Sequence, residues 1–142
     1  MNIGDELSSE QIVQLFRKEY LDFVGKYQLL RHRFTELNEA DGSIHSRFEG
    51  EISVAGENKS VVGVGNGPID AFFQALTSVG INGYEFANYH EHAISKGSDA
   101  KGICYIELKQ KNNGHIFGVG IHSNVNVAAL RGIICAINRA EK

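Results

Sequence analysis

Three stretches of the chain bring chemically capable groups close together. His90-Glu91-His92 sets two imidazoles two residues apart on one face of a strand, a spacing able to chelate a metal. No third ligand stands at a matching spacing, so a polar strand face, or a histidine hydrogen-bonded in a pocket, is the plainer reading. His122-Ser123 joins a base and a hydroxyl, but neighbours in sequence make no triad. His115 and His122 flank the second of two similar glycine corners, where they serve as surface histidines or sit near a subunit contact. Most acids fall on strand faces and turns. No nucleophile with its base, and no carboxylate pair, nominates a reaction.

The third stretch, VVGVGNGPIDAFFQAL (Val61 to Leu76), is the one the chain is organised around. An apolar run passes through Gly63, Gly65 and Gly67 and meets Pro68, the only proline, before an amphipathic pattern begins. This is a strand turning into a helix, with glycines for close approach or positive φ and proline at the first helical position. Such a corner offers backbone N–H groups at a positive helix end. A phosphate loop is one reading, but neither the GxGxxG nor the Walker pattern is present and no lysine follows. Asp70 would also repel a dianion there. A corner serving packing alone is the second reading. A zwitterion is the third: the N–H groups of Gly65 to Ile69 take a carboxylate, and Asn66 and Asp70 accept from an ammonium.

The totals bound the class. The 142 residues suit one domain with a real core. A net charge of -3 argues against a nucleic-acid partner, which needs clustered Lys and Arg. No apolar run approaches the roughly 18–20 residues of a membrane span, and the polar N-terminus is no signal peptide, so a cytoplasmic protein is expected. Cys104 and Cys135 both lie in apolar segments and read as buried free thiols rather than a disulfide.

The elements that position these groups follow from periodicity. Ser8 and Gln11 form a capping box for a helix from about Ser9 to Phe23, ended by Gly25, with no partner of its own. A strand from Tyr27 to Leu37 exposes one face, given Arg31, His32 and Arg33. Asp41-Gly42 turns into Ile44 to Val54, which alternates well, and Gly56 to Lys59 turns into a third strand, Ser60 to Gly65. The helix from about Pro68 to Val79 carries Ile69, Phe72, Phe73, Leu76 and Val79 as one apolar stripe, capped by Gly80. The order then repeats: strands over Tyr84 to Ile94, Ile103 to Lys109 and Ile116 to Ile121, with Asn112-Asn113-Gly114 as a turn, then a helix from about Asn124 to Asn138. Val62-Gly63-Val64-Gly65 is echoed by Phe117-Gly118-Val119-Gly120. The expected fold is therefore α+β, two βββα units (about 27–80 and 84–140) related by a pseudo-twofold axis and preceded by a linker helix over residues 1–25. The last helix is apolar nearly all round and must be covered on more than one side; with one sheet, a second subunit is the simplest cover.

GNGPIDAFFQAL (Gly65 to Leu76), YHEHAISKGSDAKG (Tyr89 to Gly102) and GVGIHSNVNVAALRGIICAINR (Gly118 to Arg139) resemble the C-terminal regulatory domain of 2-isopropylmalate synthase, shared with citramalate synthase. The resemblance runs from about Tyr27 to the C-terminus, and LFRKEYL (Leu15 to Leu21) looks like the end of the linker helices that precede this domain. It implies a regulatory dimerisation domain over residues 26–142. That domain forms a homodimer and binds L-leucine for feedback inhibition near the subunit interface. Carried over by motif, Gly65, Asn66, Gly67, Ile69 and Asp70 form the first turn of the pocket, Phe86, Tyr89, Ala93 and Ala100 a side-chain wall, and Ile121 comes from the second corner. The chain departs from the family pattern at His90, a position often aromatic, and by one extra residue near Tyr84 to Phe86.

The family's catalytic domain, a TIM barrel of well over 200 residues holding a divalent metal, has no counterpart in this sequence. The resemblance thus implies no cofactor and no enzymatic activity for the chain by itself, but a role as part of an acetyl-CoA-dependent acyltransferase. An excised domain and a free-standing regulatory protein both fit, and the partnerless first helix favours excision. An isoleucine-sensing domain of citramalate synthase, or a dimerisation module without a ligand, are the alternatives.

Overall fold

The computed structural model describes Gln11, residues 25–93 and residues 101–141. The expected linker helix, apart from Gln11, lies outside the described residues. Strands β1 (Tyr27–Asn38), β2 (Ile44–Val54) and β3 (Glu57–Gly65) precede helix α1 (Pro68–Ser78); β4 (Tyr84–Ala93), β5 (Gly102–Gln110) and β6 (His115–His122) precede α2 (Val125–Ala140). Each half is a three-stranded antiparallel sheet in chain order, β1-β2-β3 and β4-β5-β6, with its own helix packed on one face. The duplicated βββα architecture expected from the sequence is the architecture observed.

Local chemistry sets the reversals. Between β2 and β3 only Ala55 and Gly56 turn, both at positive φ (53° and 86°), the backbone of a two-residue hairpin whose twist matches its strands. The third strand therefore begins at Glu57 rather than Ser60. Asp41 Oδ1 accepts from Ser43 N at 2.9 Å, and Asn112 Oδ1 from Gly114 N at 2.8 Å, so the β1–β2 and β5–β6 hairpins close on an Asx side chain.

Each half carries a β-bulge at the same place. Register shifts between Leu29 and Arg31 in β1 and between Phe86 and Asn88 in β4, leaving Leu30 and Ala87 as the extra residues. The bulge changes the phase of alternation, so Tyr27 and Leu29 face the core and then His32 and Phe34 do. The residue that looks like an insertion near Phe86 is thus a feature both halves share.

The glycines at alternate positions serve close approach, not unusual φ. A methyl at Gly63 would collide with the Ala71 carbonyl and Ala75 amide of α1. Gly118 stands in the same relation to Gly132 and Ala136 of α2, and Gly120 to Ala128 and Gly132. Small residues four apart on each helix (Ala71 and Ala75; Ala128, Gly132 and Ala136) lay its backbone directly on the glycine groove of its last strand. None of Gly63, Gly65 or Gly67 has positive φ, which among the described glycines belongs to Gly42, Gly56, Gly80 and Gly83. Around this contact Phe34, Phe48 and Phe72 form an edge-to-face chain at 5.3 and 5.0 Å between centroids, each pair adding about 1 kcal/mol beyond its buried area.

Cover for the apolar last helix comes from within the chain. Residues 128–130 and 132–138 are buried, between β5 and β6 on one side and β1 and α1 on the other. The expectation that a second subunit is the simplest cover for this helix assumed one sheet; the two sheets and both helices share one core instead. Asn138, 7% exposed, locks the halves together: its amide accepts from Tyr27 N and donates to Tyr27 O, both at 2.8 Å. Gly25 passes so close to Asn138 that a side chain there would strike it.

Candidate ligand-binding site

The first corner is open and acidic. Gly67 is the N-cap of α1, with no side-chain cap, and Pro68 opens the helix. Asp70 reaches back so that its Oδ2 accepts from Asn66 N at 3.0 Å. A carboxylate of the chain itself thus already sits at the positive helix end, where it is favoured by the dipole. Asn66 and Asp70 are exposed, whereas Ile69 is half-buried against the core. Gly65 is forced by the nearby Asp70 carboxylate and Ala71 backbone, but Gly67 has no atom within 4 Å of where a methyl would stand.

The second group lies on β4. In an antiparallel pair, residues directly opposite share a face. Phe86 opposes Leu108, Tyr89 opposes Ile106 and Ala93 opposes Gly102, so all three face the α2 side of the sheet. Phe86 and Tyr89, three apart, would fall on opposite faces of a regular strand; the Ala87 bulge brings their rings to 5.8 Å. Phe86 packs on the core, while Tyr89 is 44% exposed. Ile121 opposes Ile103 and faces the other side of the sheet, 8% exposed, so within one chain it does not join Phe86 and Tyr89. Its neighbour His122, opposite Gly102, is the residue that shares the Ala93 row. Ala100 lies outside the described residues. No hydrogen bond or ring contact links the Gly65–Asp70 corner to β4 among the described residues.

The second corner is basic, a feature the sequence reading passed over. Asn124 caps α2, accepting from Asn126 N and Val127 N at 2.9 and 3.2 Å. Its own N–H donates to His122 Nδ1 at 2.9 Å, and Arg131 Nη1 donates to the Ile121 carbonyl at 3.1 Å. His32, stacked on Phe48 at 5.6 Å and 15°, lies within electrostatic reach of both His122 and Arg131. Only the three-dimensional meeting of β1 with α2 puts it there.

Other reactive groups are quiet. Cys104 and Cys135 are buried and share no disulfide; burial, and then Glu91, pushes the Cys104 thiol up to about 11, and burial raises Cys135, so neither is a ready thiolate. No set of three His, Cys, Asp or Glu side chains arranged to hold a metal occurs among the described residues, and His90 and His92 stand exposed. His115 Nδ1 pairs with Glu107 at 2.6 Å. A cavity of about 440 Å³ beside Tyr84, Glu85, Lys109 and Lys111 includes none of the expected site residues.

The chain matches the LeuA allosteric (dimerisation) domain over residues 6–141. It belongs to that family. It is 37% identical to 2-isopropylmalate synthase of Clostridium acetobutylicum over 137 residues, covering 96% of the chain and 24% of the relative. Against the enzymes named 2-isopropylmalate synthase from Pseudomonas entomophila and Thermobifida fusca, identity is 37% and 34%, covering 97% and 98% of the chain and 23% of each relative. This LeuA domain thus spans about a quarter of the length of these relatives. No helix among its described residues is long and apolar enough to cross a membrane.

Proposed function

We propose that this LeuA domain is the leucine sensor of a 2-isopropylmalate synthase, acting in the cytoplasm as a homodimer. It has no chemistry of its own; leucine binding biases a catalytic portion that condenses acetyl-CoA with 2-oxoisovalerate. Coupling of that kind requires leucine to bind two arrangements of the domain with different affinity.

Gly67 is the observation that carries the reading. Packing accounts for Gly63 and Gly65, and none of the three needs positive φ. Gly67 stands extended, with open space where a side chain would be, beside the exposed acceptors of Asn66 and Asp70. Bare backbone at a helix start, flanked by acceptors, suits the polar end of an amino acid, and half-buried Ile69 beside it offers apolar surface to a branched side chain. Asp70 then meets the ammonium.

Thermal melting with added amino acids tests it, because a ligand of the folded state raises the melting temperature. L-leucine should raise it in a concentration-dependent way. A larger shift with isoleucine would favour the citramalate synthase reading, and no shift with any branched amino acid would leave a dimerisation module alone.

A further inference from the structure

We propose that two copies of this chain join through the free edge of β3, strand against antiparallel strand, so that their first sheets run into one continuous sheet. This rests on the homodimer of the reading above and adds where its seam lies.

A free strand edge is a template for pairing, and folded proteins protect theirs. The edge strands are β1 and β3 in the first sheet, β4 and β6 in the second. β1 and β4 each carry a bulge, at Leu30 and Ala87, which breaks the regular edge. Charged side chains follow each bulge, Arg31 and Arg33 on β1 and Glu91 on β4. β6 is sealed by its own helix. Arg131, Cys135 and Arg139 stand four apart on α2, in one line along its surface. Arg131 Nη1 donates to the Ile121 carbonyl at 3.1 Å and Arg139 Nη1 to the Phe117 carbonyl, while the Val119 backbone between them is hydrogen-bonded to the Cys135 thiol. Alternate residues of an antiparallel edge turn their backbone groups outward, so this one line closes β6 from Phe117 to Ile121.

The matching line on α1 leaves β3 open. Ala71 and Ala75 lie against Gly63 as Gly132 and Ala136 lie against Gly118. Asp70, Gln74 and Ser78 therefore stand where Arg131, Cys135 and Arg139 stand on α2. Asp70 holds only the Asn66 N–H, at 3.0 Å, and Ser78 Oγ turns back to the Ala75 carbonyl of its own helix at 2.5 Å. No side chain among the described residues hydrogen-bonds to the outward backbone of Val62 or Val64. β3 is also regular, paired to β2 from Glu57 to Gly65 without a bulge. Val62 and Val64 are 44% and 47% exposed, on the face turned away from α1.

A second copy fits this edge. Antiparallel pairing of like strands is isologous, and Val62, midway along the open stretch from Ser60 to Val64, serves as the centre that faces itself. Ser60 then faces the partner's Val64, and Lys59 faces the partner's Gly65, beside the acidic first corner. No two like charges stand opposite one another, and the exposed valines of both copies meet in one apolar patch.

Sedimentation of the chain and amide hydrogen exchange followed by NMR test the seam together. The chain should sediment as a dimer, with the Val62 and Val64 amides exchanging slowly and losing that protection on dilution. Val62→Lys sets like charges face to face and should raise the dissociation constant of the dimer at least about tenfold, with the circular dichroism spectrum unchanged. Val64→Pro removes an outward N–H that β2 does not use and should act the same way. Phe117→Lys, an equally exposed change on the sealed edge, should leave the dimer as tight as the parent. A dimer whose Val62 and Val64 amides exchange freely, or that Val62→Lys does not weaken, would overturn the seam and leave leucine sensing intact. Equal weakening by Phe117→Lys would also overturn it, because surface charge and not the edge would then be at work. A chain that stays monomeric yet is titrated by leucine would overturn the seam and the homodimer but not the sensor; a dimer through β3 that ignores leucine would uphold the seam and overturn the sensor.

Discussion

Tyr27 and Tyr84, equivalent residues at the starts of β1 and β4, donate their hydroxyls to the two oxygens of a single carboxylate. Glu141 Oε1 accepts from Tyr27 at 2.8 Å and Oε2 from Tyr84 at 3.0 Å, with Lys26 Nζ at 3.8 Å. The end of α2 thereby clasps the same position of both halves. Burial, then the Glu141 bond and its charge, pushes the Tyr27 hydroxyl up to about 12, and Tyr84 moves the same way for the same reasons. A tyrosine whose folded pKa lies above its ordinary 10.0 stabilises fully below that value, and the contribution is lost as pH rises through the folded value. Stability should therefore fall between about pH 10 and 12, and Tyr27→Phe should flatten that fall in denaturant midpoints measured across the range. Glu141→Ala should cost roughly 2 kcal/mol at neutral pH, since two charge-assisted bonds go with it.

Asn138 is the other half of the clasp. Asn138→Ala leaves the buried N–H and C=O of Tyr27 without partners, so a loss of about 3 kcal/mol is expected in chemical denaturation. A change under about 1 kcal/mol would mean that water replaces the amide.

The glycines should separate by role. Gly118→Ala drives a methyl into the Gly132 carbonyl and Ala136 amide, backbone that moves only if α2 lifts, at a cost of about 2–3 kcal/mol or more. Gly67→Ser meets open space at an uncapped N-terminus and should change stability by only a few tenths of a kcal/mol. The same substitution should weaken leucine binding, because it covers the bare backbone at the first corner. Melting and titration of the two variants check both halves of this contrast.

At the second corner, Asn124→Ala removes the side chain that accepts from Asn126 N and Val127 N. An exposed cap of this kind is worth about 1 kcal/mol, read from the denaturation midpoint. His122 also loses its fixed setting if the turn relaxes, so its NMR titration should shift in the same variant.

Period and punctuation made the fold legible. Alternation in β2, the stripe of α1, the Gly42 and Gly80 reversals and the echo of the two glycine corners all stand where the sequence places them. Ala55-Gly56 was misread by a few residues because a two-residue turn needs no loop composition around it. The bulges at Leu30 and Ala87 were hidden for a physical reason: an unpaired residue has no letter of its own, only a change of phase in its neighbours. The expected site residues divide between two places in the fold. Phe86 and Tyr89 come together only through the bulge, and Ile121 stands on the opposite face. The meeting of β1 with α2 was not legible either, because it joins segments about a hundred positions apart in different halves of the fold.

Calorimetric titration of the chain with L-leucine tests the central claim most directly. The account predicts saturable binding, with leucine discriminated from isoleucine and valine by about 1–3 kcal/mol, the value of one displaced or missing methyl in an apolar pocket. Heats no larger than dilution at leucine concentrations well above about 1 mM, where a site weaker than roughly -4 kcal/mol would be invisible, would contradict it.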